Sequence, residues 1–267
     1  MRAALAMVLV LGAACGAPSR GALVEPGVGV ADFDARANGT DRVHVRVLFP
    51  AQDDGSLLGG AHPAVVFVQG GAVKPERYEW QAVELVKRGY VVALPRFPLD
   101  LAFFATDFGQ AARGVLVDGP GVLRGAVDAS RISVAGHSLG GVVAVKLLLG
   151  GGFSSAVLEA SFPDTADHRA LAGLSLPTLS LAGSLDCSAK LENVRTGWDA
   201  LPSPSSLLVL DGVTHYQFTD AQTEDDSRGC TPGVSIDVAH QRIAAALAAF
   251  LAGDALDAVP GSTLEVR

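Results

Sequence analysis

The sequence predicts an α/β fold: one mainly parallel central sheet with helices on both faces. The chain has 267 residues, 49% of them hydrophobic, enough for one such domain with a large core and short for two. From Pro63 to Ala252, apolar β-branched runs alternate with stretches of helical spacing, the pattern of strands joined by crossover helices. The run "PAVVFV" (Pro63 to Val68) is continuously apolar, as expected of a strand buried on both faces.

Taken in order, the chain opens with "MRAALAMVLVLGAACGAPSR": one positive charge at Arg2, an apolar run from Ala3 to Leu11, then small residues up to Cys15. Residues 1–15 read as an export signal of bacterial type, too short for a transmembrane anchor. Gly12, Ala13 and Ala14 before Cys15 resemble a lipoprotein box, although Gly12 stands where that box usually has leucine. Lipidation of Cys15, which would tether the protein to a membrane, and ordinary secretion both stay open. Residues 16–27 are rich in Gly, Ala and Pro and suit a flexible tether, which leaves 28–252 as the folded domain and 253–267 as a peripheral tail.

Within the domain, strand-like runs at Val28 to Ala35 and Val43 to Phe49 flank the turn residues Asn38 to Asp41 and predict an antiparallel start. Asn38-Gly39-Thr40 also matches a glycosylation sequon, which behind a bacterial-type signal is a chance match. After Val68, the expected elements are a helix over Tyr78 to Arg88, a strand at Tyr90 to Leu94, and a helix from Phe108 to Val127 running through Gly119-Pro120-Gly121. A strand at Arg131 to Ala135, a helix at Gly140 to Leu149, and strands at Ser155 to Ala160 and Pro177 to Gly183 follow. A helix from Leu191 to Leu201, a last strand at Ser205 to Leu210 and an amphipathic helix over Ile236 to Ala252 close the domain.

The net charge of -8, with no run of lysine or arginine, excludes nucleic acid and anionic membrane surfaces as partners. Of the 3 cysteines, Cys15 belongs to the signal, leaving Cys187 and Cys230 as an even pair in an oxidising compartment. Two unconnected buried thiols are the alternative.

"VAGHSLGG" puts Ser138 between glycines, directly after the strand "RISVA" and before the helix "LGGVVAVKLLLG". That context turns a weak G-x-S-x-G match into a sharp strand-to-helix turn that lifts a hydroxyl above the sheet edge. The free amides and dipole at the helix N-terminus favour the negative charge that develops when such a serine attacks a carbonyl. A serine needs a base, and the base an orienting carboxylate. His215, in "DGVTHYQF", follows the last expected strand at the carboxyl edge where Ser138 emerges. His137 lies inside the turn and points away from its neighbour's oxygen, and the other histidines sit before the parallel strands, in a connector or on the closing helix. Asp186, in "LAGSLD", gives the order serine, acid, histidine, and Asp164 past the preceding strand is the competing acid.

With these residues in hand the chain resembles an α/β-hydrolase over about Val28 to Ala252. It is most similar to the dienelactone hydrolase, chlorophyllase and polyester-hydrolase branch, on "VVFVQGG", "GHSLGG", "LAGSLD" and "VTHYQF". True dienelactone hydrolases use a cysteine where this chain has Ser138. The resemblance implies an oxyanion hole from the backbone N–H groups of Leu139 and, in "VQGGAV", of Gly71. A Cys187–Cys230 bond would resemble a cross-link of polyester hydrolases and would tie the acid loop to the base loop. The connector from Phe162 to Leu176 is too short for a separate lid domain; Phe103 and Phe104 are either acyl-pocket or core residues.

The expected protein is therefore an exported, monomeric serine hydrolase acting on small-molecule or polymeric carboxylic esters, with no metal or organic cofactor implied. The alternatives are an acyltransferase or amidase with the same triad, and an inactive binding protein on the same fold.

Overall fold

The computed structural model describes residues 20–100, 106–220 and 230–267. The expected export signal with Cys15, and Phe103 and Phe104, lie outside the described residues. One mixed sheet organises the molecule. Its strands are β1 (Ala22–Glu25), β2 (Val28–Ala37), β3 (Asp41–Pro50), β4 (His62–Val68), β5 (Val91–Pro95), β6 (Val127–His137), β7 (Ala156–Glu159), β8 (Thr178–Gly183), β9 (Ser205–Leu210) and β10 (Ser262–Val266). Their order in space is β1-β2-β3-β5-β4-β6-β7-β8-β9-β10. Strands β5, β4, β6, β7, β8 and β9 run parallel, while β1, β2 and β3 at one edge and β10 at the other are antiparallel.

Burial explains the strand composition. Every residue of β5, β7 and β8 is buried; β5 is accordingly an unbroken apolar run, whereas β7 and β8 also bury Glu159, Thr178 and Ser180. The chain moves from β4 to β5 in one direction across the sheet, then back past β4 to β6. Crossovers of parallel strands are right-handed, so opposite directions lay their helices on opposite faces. The helices α1 (Glu79–Val86) and α2 (Thr106–Asp118) are those two crossovers. The helix α3 (Leu139–Gly150) packs with α2, and the closing helix α6 (Ile236–Ala252) packs with α1. The short α4 (His168–Leu171) and α5 (Leu191–Trp198) complete the connections. Ser235 caps α6 by accepting from the Val238 amide, and Gly253 ends it in the left-handed conformation at φ 78°.

Four expectations are corrected. The helix expected to run to Val127 stops at Asp118, because Gly119 and Gly121 take positive φ around Pro120 and break the ladder. Part of the expected tether, Ala22–Glu25, pairs with β2 as an edge strand. Ser205–Leu210 is not the last strand, since Ser262–Val266 in the expected peripheral tail pairs along its whole length. The helix expected from Tyr78 starts one residue later, after a 3-10 turn over Pro75–Tyr78.

The strand order reverses at β4, so the loop after β4 and the turn after β6 leave the same edge side by side. Such a switch point is where open α/β sheets place their sites.

Candidate active site

Strand β6 ends at His137 and α3 begins at Leu139, so the chain turns on Ser138 alone. Ser138 sits at φ 53°, ψ -121°, a conformation an L-residue holds only when its surroundings enforce it. Two glycines make the turn feasible. A Cβ on Gly136 would strike the Gly140 carbonyl, and a Cβ on Gly140 would strike the carbonyls of Val68 and Gln69 at the end of β4. Alanine at either position would push the turn off the sheet. The Ser138 amide donates to the Glu159 carbonyl at 2.8 Å, and the Ser161 hydroxyl donates to the Ser138 carbonyl at 2.6 Å. The strained residue is thus clamped from β7 and from the loop beyond it.

His215 opens a 3-10 turn, His215–Phe218, just past β9. Thr214 and Gln217 cap that turn reciprocally, and Gln217 Nε2 donates to the Val234 carbonyl at 2.9 Å. The turn aims the imidazole at the elbow: Nε2 lies 3.0 Å from Ser138 Oγ, and Nδ1 lies 2.8 Å from Asp186 Oδ2. Since a carboxylate only accepts, Nδ1 carries the hydrogen and Nε2 presents its lone pair to the serine hydroxyl. The other Asp186 oxygen, Oδ1, accepts from the amides of Ser188 at 2.8 Å and Ala189 at 2.7 Å. The Asp186 side chain is 0% exposed and that of His215 5%, so this line of hydrogen bonds is dry except at the serine end.

Gly71 and Leu139 are neighbours in space: a Cβ on Gly71 would lie 3.1 Å from Leu139 Cδ2. Gly70 N donates to Tyr78 Oη at 3.0 Å and Ala72 N to the Asp100 carbonyl at 2.9 Å. Between them the Gly71 amide has no acceptor among the described residues, and neither has the Leu139 amide at the first position of α3.

The competing acid is elsewhere. Asp164 caps a 3-10 turn by accepting from the Ala166 amide at 3.0 Å and lies 3.7 Å from Lys146 Nζ, beside a cleft of about 560 Å³ lined by Phe162, His168 and Thr196. Of the other histidines, His44 pairs with Asp32, His62 with the Gly89 and Leu58 carbonyls, and His240 with the Thr219 carbonyl while stacked on Trp80, whereas His168 Nε2 is buried without a hydrogen-bond partner among the described residues. Cys187, next to the acid, is bonded to Cys230 with a Cα–Cα distance of 5.8 Å. Sequence reasoning passed over three buried residues here, Tyr78, Gln81 and Glu159. Apart from the Gly70 amide on Tyr78, the partners of their side chains lie 59 to 137 positions away in the chain, so local spacing gave no pointer to them.

Residues 64–231 match the family model described as the alpha/beta hydrolase family. A stretch of 117 residues is 30% identical to Cutinase est2 of Thermobifida alba, covering 42% of this chain and 38% of that protein. The same length is 33% identical to Cutinase 2 of Thermobifida cellulosilytica, covering 42% and 43%, and to Cutinase cut1 of Thermobifida fusca, covering 42% and 35%. The chain thus spans less than half the length of the curated relatives it matches.

Proposed function

The chain belongs to the α/β-hydrolase family, and on that premise we propose that it is an exported serine hydrolase that cleaves carboxylic esters through an acyl-enzyme. The observation that carries the reading is the unbroken line from Ser138 Oγ to His215 at 3.0 Å and from His215 to Asp186 at 2.8 Å. In this reading His215 Nε2 takes the hydroxyl proton as Ser138 Oγ bonds to the ester carbonyl carbon. Asp186 holds the ring in place and stabilises the imidazolium. The carbonyl oxygen becomes an oxyanion facing the Gly71 and Leu139 amides, and each such donor is worth about 3 to 4 kcal/mol of barrier. Collapse breaks the bond to the alcohol oxygen, which leaves with the proton from His215. Water then attacks the acyl-serine with His215 again as base, releasing the acid and restoring Ser138.

The related proteins are named cutinases, which sets polymeric esters beside small ones as candidate substrates. Export, with or without a lipid on Cys15, rests on residues 1–15 and on the Cys187–Cys230 bond, which suits an oxidising compartment. Ser138→Ala tests the reading. It removes one hydroxyl from a turn held by backbone bonds, so the variant should fold, lose fluorophosphonate labelling and lose p-nitrophenyl ester hydrolysis by roughly 10³-fold or more. A folded variant with full activity would end it.

A further inference from the structure

The residue between Gly136 and Ser138 has no part in the steps above, yet both of its ring nitrogens are engaged. His137 is 1% exposed; its Nδ1 lies 2.9 Å from Tyr78 Oη and its Nε2 lies 3.1 Å from the main-chain carbonyl of His215. Tyr78 is 0% exposed, and its oxygen also receives the Gly70 amide hydrogen at 3.0 Å.

The partners fix every proton. A carbonyl oxygen only accepts, so His137 Nε2 carries a hydrogen. Burial first, and the nearby His215 ring second, hold His137 well below the ordinary histidine range, so the ring is neutral and Nδ1 is a bare acceptor. Tyr78 must therefore donate its hydroxyl hydrogen to Nδ1, and burial, the largest influence on that phenol, keeps it protonated. The Tyr78 oxygen then accepts from Gly70. The result is one directed chain from the Gly70 amide through Tyr78 and His137 to the His215 carbonyl.

The ends of this chain are what matter. Gly70 precedes Gly71, the expected oxyanion donor; His215 is the expected base; and His137 immediately precedes Ser138. Ring contacts close the path sideways, with His137 at 4.6 Å from His215 and 5.6 Å from Phe218, centroid to centroid. The ionisable groups bearing on the chain are His215 and Tyr216 from the base turn, Glu159 from β7, and Arg77 beside Tyr78 itself. A neutral His137 is also the form that tolerates a transient imidazolium on His215.

Resting on the hydrolase reading, we propose that Tyr78 and His137 are positioning residues that lock the oxyanion-donor loop to the turn carrying the general base. Catalytic groups need their spacing held closely, and a displacement of about 1 Å can cost about 10²-fold. A role in fold maintenance alone would lower stability and leave turnover of the folded enzyme unchanged.

Tyr78→Phe removes only the hydroxyl, and His137→Phe keeps bulk but removes both hydrogen bonds. Each folded variant should lose kcat about tenfold or more with KM held within about twofold. His137→Gln, whose amide can donate to the His215 carbonyl and accept from Tyr78, should recover most of the rate lost in His137→Phe. Wild-type kcat in folded Tyr78→Phe, or equal losses in His137→Gln and His137→Phe, would overturn the proposal. Nitrogen NMR of the wild-type protein tests the hydrogen-bond chain itself, even where a variant does not fold. His137 should hold its hydrogen on Nε2 from about pH 5 to about pH 8, and an Nδ1–H or doubly protonated ring would sink the relay. Failure of the wild-type protein to label at Ser138 or cleave esters would instead refute the hydrolase reading, with the NMR result still standing.

Discussion

The loops that leave β7 and β8 start side by side, on buried parallel strands paired from Ala156 with Thr178 to Glu159 with Leu181, and each carries an aspartate. They do opposite things with it. Asp164 caps an exposed turn and its loop is tied back to α3, where Lys146 donates to Asp167 at 2.6 Å. Asp186 is sealed inside, and its loop is tied to the loop after β9: Ser184 N bonds to the Leu210 carbonyl, Leu185 N to the Val213 carbonyl, and the Gly212 amide to Ser184 Oγ at 2.8 Å. The Cys187–Cys230 bond adds a covalent tie in the same region. The neighbour of β9 in the sheet is β8 and not β7. Position past a strand end therefore makes an aspartate eligible, and adjacency to the strand that delivers His215 selects it.

The sharpest way to break this comparison is to exchange the two acids for amides. Asp186→Asn should lower kcat by roughly 10³- to 10⁴-fold, because the amide cannot hold His215 in the required tautomer. If Asp164→Asn had the larger effect, the assignment of roles to the two loops would be wrong. Next in size is the disulfide. Reduction, or Cys230→Ser, should cost about 2 to 4 kcal/mol of stability, read from thermal or urea unfolding with and without reductant. An unchanged midpoint would mean that the hydrogen bonds between the loops already suffice.

The β7 side has a buried acid of its own, and it sharpens the contrast. Glu159 is 0% exposed, accepts from Gln81 Nε2 at 3.0 Å, and has no histidine partner. Burial pushes its carboxyl up to about 8, with the Gln81 hydrogen bond opposing only in part. Between 4.5 and about 8 the folded protein keeps a proton that the unfolded chain has lost. The folded state binds more protons there, so stability is highest below that window and falls as pH rises through it. Glu159→Gln should flatten this slope. His137 acts oppositely, since its depressed value makes stability fall as pH drops through the ordinary histidine range, so the difference between wild type and Glu159→Gln isolates the carboxyl. Unfolding measured across that range checks it, and identical slopes in the two proteins would show that Glu159 is ionised in the folded state.

The smallest effect is expected at Asp164. Its substitution by asparagine preserves a cap and removes a 3.7 Å ion pair with Lys146, so stability should move by less than about 1 kcal/mol, with kcat within about twofold.

By itself the sequence determined what depends on neighbours in the chain. Glycines at 136 and 140 around Ser138, between a β-branched run and an apolar helix, admit one turn, because any Cβ there meets backbone. Continuous apolar runs marked β4 and β5 as strands covered on both faces, which need no polar side. Short edge strands such as Ala22–Glu25 and Ser262–Val266 left no such mark; both are partly exposed, and their pairing is supplied by β2 and β9. Which of Asp164 and Asp186 meets His215 was open in the sequence, and sheet order places Asp186 there. The path from Gly70 through Tyr78 and His137 to His215 was decided only by packing. Hydrogen bonds between residues far apart in the chain form where folding excludes water and leaves each polar atom one partner, and that desolvation is a property of the assembled interior rather than of any local stretch.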